Sequence, residues 1–366
     1  MQPQDPLTQV CRHLTVSATR ASEPNMSTSS GNTLDYDTLY VLIARQGTLE
    51  QVSSFLRDRN LPHSAGSWQT MTDRLRRLRE QDRLSDADLH EILRQTEEYG
   101  SQHVFLFEKV AGADITDLFG SALSGKLKSA SLPSIGETLV LDMPETPTVT
   151  EVRWEGDAHD AIIFKIVERR HTYETDEQEY PDGRVVLTKN PLPYRSVSIL
   201  RIRADGSADL RISSNSNVYT YEGFANTIWT GLAPIVDKLH WRAVSLDRLK
   251  SKLLDPAQRA VVKEVFGLRH SQHTNLEGMR LIAASPTPWS SIYDHSGTIG
   301  SLDHFNSVKD DAYCDRMVVM LRGNSEANLR DITLNFSGET NEVAINRKVT
   351  EAEYEWILST VLEFNR

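Results

Sequence analysis

Apolar side chains recur at helical spacing from Asp35 onward. Leu39, Leu42 and Ile43 form one stripe, Gly47 and Thr48 stop that helix and cap the next, and Leu49, Val52, Phe55 and Leu56 repeat the pattern. The segment NLPHSAGS is a loop by its proline, glycine and serines. Ser67 caps a third helix with Trp68, Met71, Leu75 and Leu78 on one face. Ser85 caps a fourth, with Asp86 and Asp88 at its positive end and Leu89, Ile92 and Leu93 on its buried side. A fifth apolar segment, His103–Val110, completes a helical bundle of five or six helices over residues 34–128.

The pattern changes beyond residue 129. SASLPSIGETLVLDMPETPTVT carries three prolines and reads as a crossover. Val152 and Trp154 then alternate, and Ile162, Ile163, Phe164 and Ile166 form a buried run. Acidic residues from Glu174 to Asp182 lead into Pro181-Asp182-Gly183, the charged tip of a hairpin returning over Arg184–Thr188. A second hairpin joins Ser196–Arg203 to Ala208–Ser213. A helix follows over Glu222–Leu239, bent at Pro234, then shorter ones from Leu246 and Pro256. Strands are expected at Leu276–Ala284, Met317–Leu321, Asp331–Phe336 and Glu342–Asn346, with a loop over 285–313. Thr350 and Glu353 form a capping box that opens a terminal helix bearing Tyr354, Ile357, Val361 and Phe364. The fold class is therefore α+β. A helical bundle (34–128) precedes an antiparallel β domain with a long covering helix (129–256). A C-terminal αβ region (257–366) ends in a small β-β-β-α unit.

Residues 1–33 have no apolar stripe and read as a disordered tail without a signal-peptide core. Met26 before STSSGNT reads as a second start. The location implied is cytoplasmic. No run of about 18–20 apolar residues exists for a bilayer crossing. The net charge of −11 argues against general wrapping of nucleic acid. Two cysteines, Cys11 and Cys314, support neither a disulfide scaffold nor a Cys-based zinc site.

Candidate chemistry is sparse. Arg74, Arg76, Arg77, Arg79 and Arg83 on the third helix make the one basic patch, suited to phosphate or an acidic partner, or else to solvation against Asp73, Glu80 and Asp82. His270 and His273, with Asp294, His295, Asp303 and His304 further on, would suit a metal or acid–base site only if the fold gathered them. No H-E-x-x-H, phosphate loop or nucleophile elbow occurs. Cys314 reads as core. The acidic hairpin tip would dock a basic partner or simply keep a hairpin end soluble. Most tryptophans fall on apolar stripes. Trp289, in SPTPWSSIY, is instead a candidate protein-contact anchor. No cofactor, metal or catalytic residue is assigned.

Three stretches together resemble the centromere protein N family: DRLRRLREQDRLSDADLHEILRQTEEYGSQHVFLFEKV, then Arg195–Leu254 with its hairpin, long helix and LDRLKSKLL, then Ala257–Ala284. The resemblance implies that the helical bundle is a pyrin-like, death-fold-like domain, followed by a β-rich domain with a helix across its sheet. It also implies that basic residues of the helical domain meet nucleosomal surfaces. Here the first helix carries only Arg45, so only the third-helix arginines are carried over. Arginine outnumbers lysine 29 to 11, and no lysine occurs before residue 109, a bias that suggests a GC-rich, bacterial genome and a defence or signalling complex. Three readings follow. The first is a non-enzymatic adaptor that recognises another protein through Arg74, Arg76, Arg77, Arg79, Arg83 and Trp289. The second is a nucleic-acid-associated factor using the arginine helix. The third is an enzyme with its site at the 285–313 loop.

Overall fold

The computed structural model describes residues 35–179, 184–215, 220–308, 312–337 and 339–366. The expected tail (1–33) and the Pro181-Asp182-Gly183 turn lie outside the described residues. Four helices open the described chain: α1 (Tyr36–Gln46), α2 (Leu49–Asp58), α3 (Trp68–Glu80) and α4 (Asp86–Glu98). Each begins where a side chain accepts from a first-turn amide that has no partner inside the helix. Asp35 takes the amides of Asp37 and Thr38, Thr48 that of Gln51, Ser67 that of Thr70 and Ser85 that of Asp88. Most residues of the predicted stripes are buried, among them Leu42, Phe55, Leu75 and Ile92, but Leu49 and Trp68 are only half-buried, and Tyr40, Thr96, Glu97 and Glu98 are buried as well.

The fifth apolar segment is not helical. Gln102–Lys109 is strand β1, and it lies in the middle of an antiparallel sheet. Short apolar runs do not distinguish strand from helix by period, but a segment buried on both faces suits an inner strand. The other strands are β2 (Thr148–Glu155), β3 (Ala161–Glu179), β4 (Val185–Arg203), β5 (Ser207–Ser213), β6 (Trp241–Ala243), β7 (Phe266–Thr274), β8 (Arg280–Ala284), β9 (Tyr313–Leu321), β10 (Ile332–Ser337) and β11 (Glu342–Ile345). Their spatial order is β2-β3-β4-β5-β1-β11-β10-β9-β7-β8, with β6 also against β1. The regions expected at 129–256 and 257–366 thus contribute to one sheet, and Asp35–Arg366 forms one unit.

Strand parity sorts the two faces. In the β2–β5 half, Val152, Ile162, Phe164, Leu200 and Leu210 point to one side, under α5 (Ala122–Ser129) and α6 (Glu222–Leu232). In the β7–β11 half, Leu268, Met317, Val319, Leu334 and Ile345 join a second core with α7 (Asp247–Leu254), α8 (Arg259–Val265), α9 (Ser296–Val308) and α10 (Glu351–Phe364). Val104 and Leu106 of β1 belong to this second core and Phe105 to the first, so β1 joins both.

Three boundaries differ from expectation. Helix α6 stops at Leu232 instead of bending on to Leu239, because Pro234 has no amide to donate to the preceding turn and the Ile235 and Val236 amides both turn back to the Leu232 carbonyl. Leu239 is 83% exposed. Strand β8 begins at Arg280, since Asn275–Met279 form the hairpin turn, closed by the Asn275 amide on the Met279 carbonyl and by Gly278 at φ +80°. The 285–313 stretch contains α9. Its glycines and serines are weak helix formers, and tertiary burial of Ile299 and Leu302 compensates.

Helix α10 covers the C-terminal half-sheet with Tyr354, Ile357 and Val361 fully buried and Phe364 edge-on to Phe266 at 5.2 Å. Ile357→Ala removes buried methyl groups from a close-packed site and should cost about 2–5 kcal/mol. Urea unfolding of the variant against the parent checks this, and a loss below about 0.5 kcal/mol would show that the helix does not hold the sheet.

Candidate interaction surfaces

The face of the β2–β5 half opposite the α6 core is charged and yet buried. Strand parity brings Glu151, Arg153 and Glu155 of β2, Lys165 of β3, Arg195, Arg201 and Arg203 of β4, and Asp209 and Arg211 of β5 to that side. The end of α4 and the start of α10 close over them. Glu97 meets Lys165 at 2.5 Å and also pairs with Arg195, while Glu98 meets Arg153 at 2.6 Å. Arg94 reaches Glu151 at 3.1 Å. Arg201 pairs with both Glu155 and Glu355. Asp209 lies 2.7 Å from Arg203 and 3.2 Å from Arg211, and accepts a 2.8 Å hydrogen bond from the Tyr354 hydroxyl. The Arg211 guanidinium sits over Tyr354, 4.7 Å from the ring centre. Burial alone would raise the Glu98 and Asp209 carboxyls, but the surrounding cations outweigh it and hold both below the usual carboxylate range. With Tyr354 and Arg211 wholly enclosed, this layer fixes α4 and α10 on the sheet and offers no surface to a ligand.

The third-helix arginines are largely engaged within the bundle. Arg76 pairs with Asp37 at 2.9 Å, and Arg79 pairs with Asp86 at 3.0 Å while lying 3.3 Å from the Tyr36 ring centre. Arg74 donates to the Ser64 carbonyl and Arg77 to the Asp73 carbonyl. Arg83 is exposed.

The histidines are not gathered. His273 is buried on the α9 side of β7, whereas His270 lies on the opposite face. Burial pushes both imidazoles below their ordinary value, and Arg316 adds to this at His270. Asp303 is held by both terminal nitrogens of Arg259 at 2.6 and 3.0 Å, and Asp294, His295 and His304 are exposed. Among the described residues no group of three or more His, Cys, Asp or Glu side chains could hold a metal. Burial pushes the Cys314 thiol up to about 11, opposite to what a nucleophile needs.

Among the described residues, two surfaces combine exposed apolar side chains with an open strand edge. The first is a ribbon. β2 stops opposite Val167 and β5 opposite Ser198, but β3 and β4 run on together to the Glu179–Val185 pair. The ribbon's root is anchored by the Arg169 amide on the Pro144 carbonyl at 2.7 Å and by Arg170 over Phe224. Its distal part, 171–179 with 184–193, projects by about 30 Å at ~3.4 Å per residue. Leu187 is 61% exposed, and Tyr173, Val185, Val186 and Leu192 are also exposed. Glu174, Asp176, Glu177 and Glu179 make the β3 strand acidic. The sequence signalled a long hairpin with an acidic tip but ended its return strand at Thr188, because Pro191 and Pro193 break the look of a strand. The Val197 amide points away from β3, onto Ser213 Oγ at 3.1 Å, and the uninterrupted register gives both prolines the same orientation. Their missing N–H groups would have faced outward, so the β3–β4 ladder loses nothing.

The second open surface is the β8 end of the sheet. Ile282 is 57% exposed and lies on the same face as Arg280, Tyr313 and Arg316. Trp289, in the turn that leaves β8, is 80% exposed, as its candidate role as an anchor requires. No protein-family model matches the chain, and no curated protein matches it.

The charged layer makes stability depend on acid. Because the Asp209 and Glu98 carboxyls are depressed in the folded state, their contribution is complete above the unfolded carboxylate range. It is lost as pH falls through their lower folded values. Removing Asp209 leaves Arg203 and Arg211 without their buried counter-charge, so Asp209→Ala should cost about 3–5 kcal/mol. Asp209→Asn should also be less stable at neutral pH and show a flatter decline toward acid. Urea unfolding across a pH series measures both.

Proposed function

We propose that this chain is a non-enzymatic interaction protein of the adaptor kind, acting in the cytoplasm, whose partner is another protein. The observation that carries the reading is the distal β3–β4 ribbon, a projecting element with apolar side chains exposed on both faces and an acidic strand along one edge. Exposed apolar side chains concentrated on one projection mark interaction sites more often than they serve solubility. The bundle, clasped to the sheet through the charged layer, then acts as a body that holds the ribbon in place. The nucleic-acid reading has less support, because Arg76 and Arg79 are committed to carboxylates and rings of their own bundle. So does the enzyme reading, because His270 and His273 lie on opposite faces of β7 and Asp303 is engaged by Arg259.

The test is affinity capture with cross-linking and mass spectrometry. Replacing residues 171–193 by a two-residue turn between Arg170 and Tyr194 should abolish capture of the principal partner. Substituting Arg76, Arg79 and Arg83 with Glu should leave capture intact, since glutamate sustains the helix. The reverse pattern would move the docking surface to the arginine helix.

A further inference from the structure

The two open surfaces lie toward opposite ends of the strand order, and each lacks what the other offers. Along the ribbon, β3's odd-numbered residues turn their backbone groups away from β4, as the Arg169 amide on the Pro144 carbonyl shows. Thr175, Glu177 and Glu179 therefore present N–H and C=O groups along an outer edge that pairs with no strand among the described residues. The ribbon's other edge is interrupted, because Pro191 and Pro193 remove two outward donors. A strand-on-strand contact is thus confined to the acidic β3 edge.

At the far end, β8 is an edge strand. The Ser285 amide bonds the Arg269 carbonyl and the Asn275 amide bonds the Met279 carbonyl, so odd-numbered residues face β7. Arg280, Ile282 and Ala284 therefore turn their backbone groups outward. The opposite end of the sheet differs: β2 is shielded by residues 135–139, whose Gly136 and Leu139 amides bond the Val152 and Thr150 carbonyls at 2.8 Å. Among the described residues Arg280 and Arg316 take part in no ion pair, and both flank exposed Ile282. The β8 edge thus combines outward backbone groups, an apolar centre and uncommitted positive charge. Such an edge fits an extended acidic strand.

We infer that the occupant of the β8 edge is the β3 edge of the ribbon on a second copy of this chain. Thr175, Glu177 and Glu179 then pair with Arg280, Ile282 and Ala284, with the glutamates near Arg280 and Arg316. The inference rests on the reading of the ribbon as a docking element and names its partner. Because donor and acceptor surfaces differ, the contact is heterologous, and repeated head to tail it makes an open chain rather than a closed dimer.

Two variants, each crippled at one surface, test this by sedimentation velocity. Wild-type protein should gain mass steadily with concentration. Glu177→Lys with Glu179→Lys reverses the ribbon's charge, and Ile282→Pro removes an outward β8 donor while sparing the bonds to β7. Each variant alone should remain monomeric. Mixed in equal amounts, they should form a species of twice the monomer mass and nothing larger, since one intact ribbon meets one intact edge. Arg280→Glu provides a second edge variant should the proline unfold β8, and it should behave alike. A wild-type chain that stays monomeric would overturn the inference, as would a mixture that stays monomeric or variants that still assemble. If partner capture is nevertheless lost with the ribbon, the docking reading stands and only the second copy is excluded.

Discussion

Paired charges are the main link between the β2–β5 half of the sheet, on its charged side, and the helices α4 and α10 that cover it. Seven cations and six carboxylates meet between that face, α4 and α10, and a small apolar island of Ile163, Val167, Val197 and Ile199 shares the space. Desolvating so many charges is costly, and apolar residues of the same volume would often be at least as stable. The arrangement has a consequence for geometry. An apolar interface tolerates sliding, whereas Glu97 between Lys165 and Arg195, or Asp209 between Arg203, Arg211 and Tyr354, fits in one position. The bundle's outer tether is polar as well: the Lys348 amino group meets the carbonyls of Gln46 and Gly47, at the negative end of α1.

The same layer explains what could and could not be read in the sequence. Caps and stripes located α1 to α4 and α10 because these elements follow local rules, in which a Ser, Thr or Asp side chain satisfies an amide and every third or fourth residue is apolar. In β3, the alternation of Phe164, Lys165 and Ile166 would ordinarily mean a sheet with one wet face. The covering of that face by α4 depends on pairings with residues far away, such as Glu98 with Arg153. The β1 segment was too short for its period to separate strand from helix, and its partners β5 and β11 lie distant in sequence. In α9 a poor helix-forming sequence is overruled by burial of two side chains.

The candidate surfaces were less legible for a different reason. Trp289 and the acidic hairpin could be singled out by composition, and both are exposed. The arginines of α3 could also be singled out, but the carboxylates and rings that engage them come from α1 and from the start of α4, and only the packing of the bundle shows this. The open edge of β8 has no signal of its own. An edge is defined by the absence of a neighbouring strand, which no pattern within Arg280–Ala284 can express.

The place of β1 bears on how the molecule is made. His103 and Glu342 are bonded across 239 positions of sequence, and β1 joins β5 on one side and β11 on the other. A chain emerging from the ribosome can assemble β2, β3, β4, β5 and β1 long before β11 exists. During that interval the flank of β1 that will receive β11 has no partner, and Val104 and Leu106 lack their cover. A growing polypeptide with such a bare flank is prone to mispairing with its neighbours on the same message. Slow synthesis through the last third of the chain would prolong this hazard, and a chaperone that masks one strand would relieve it.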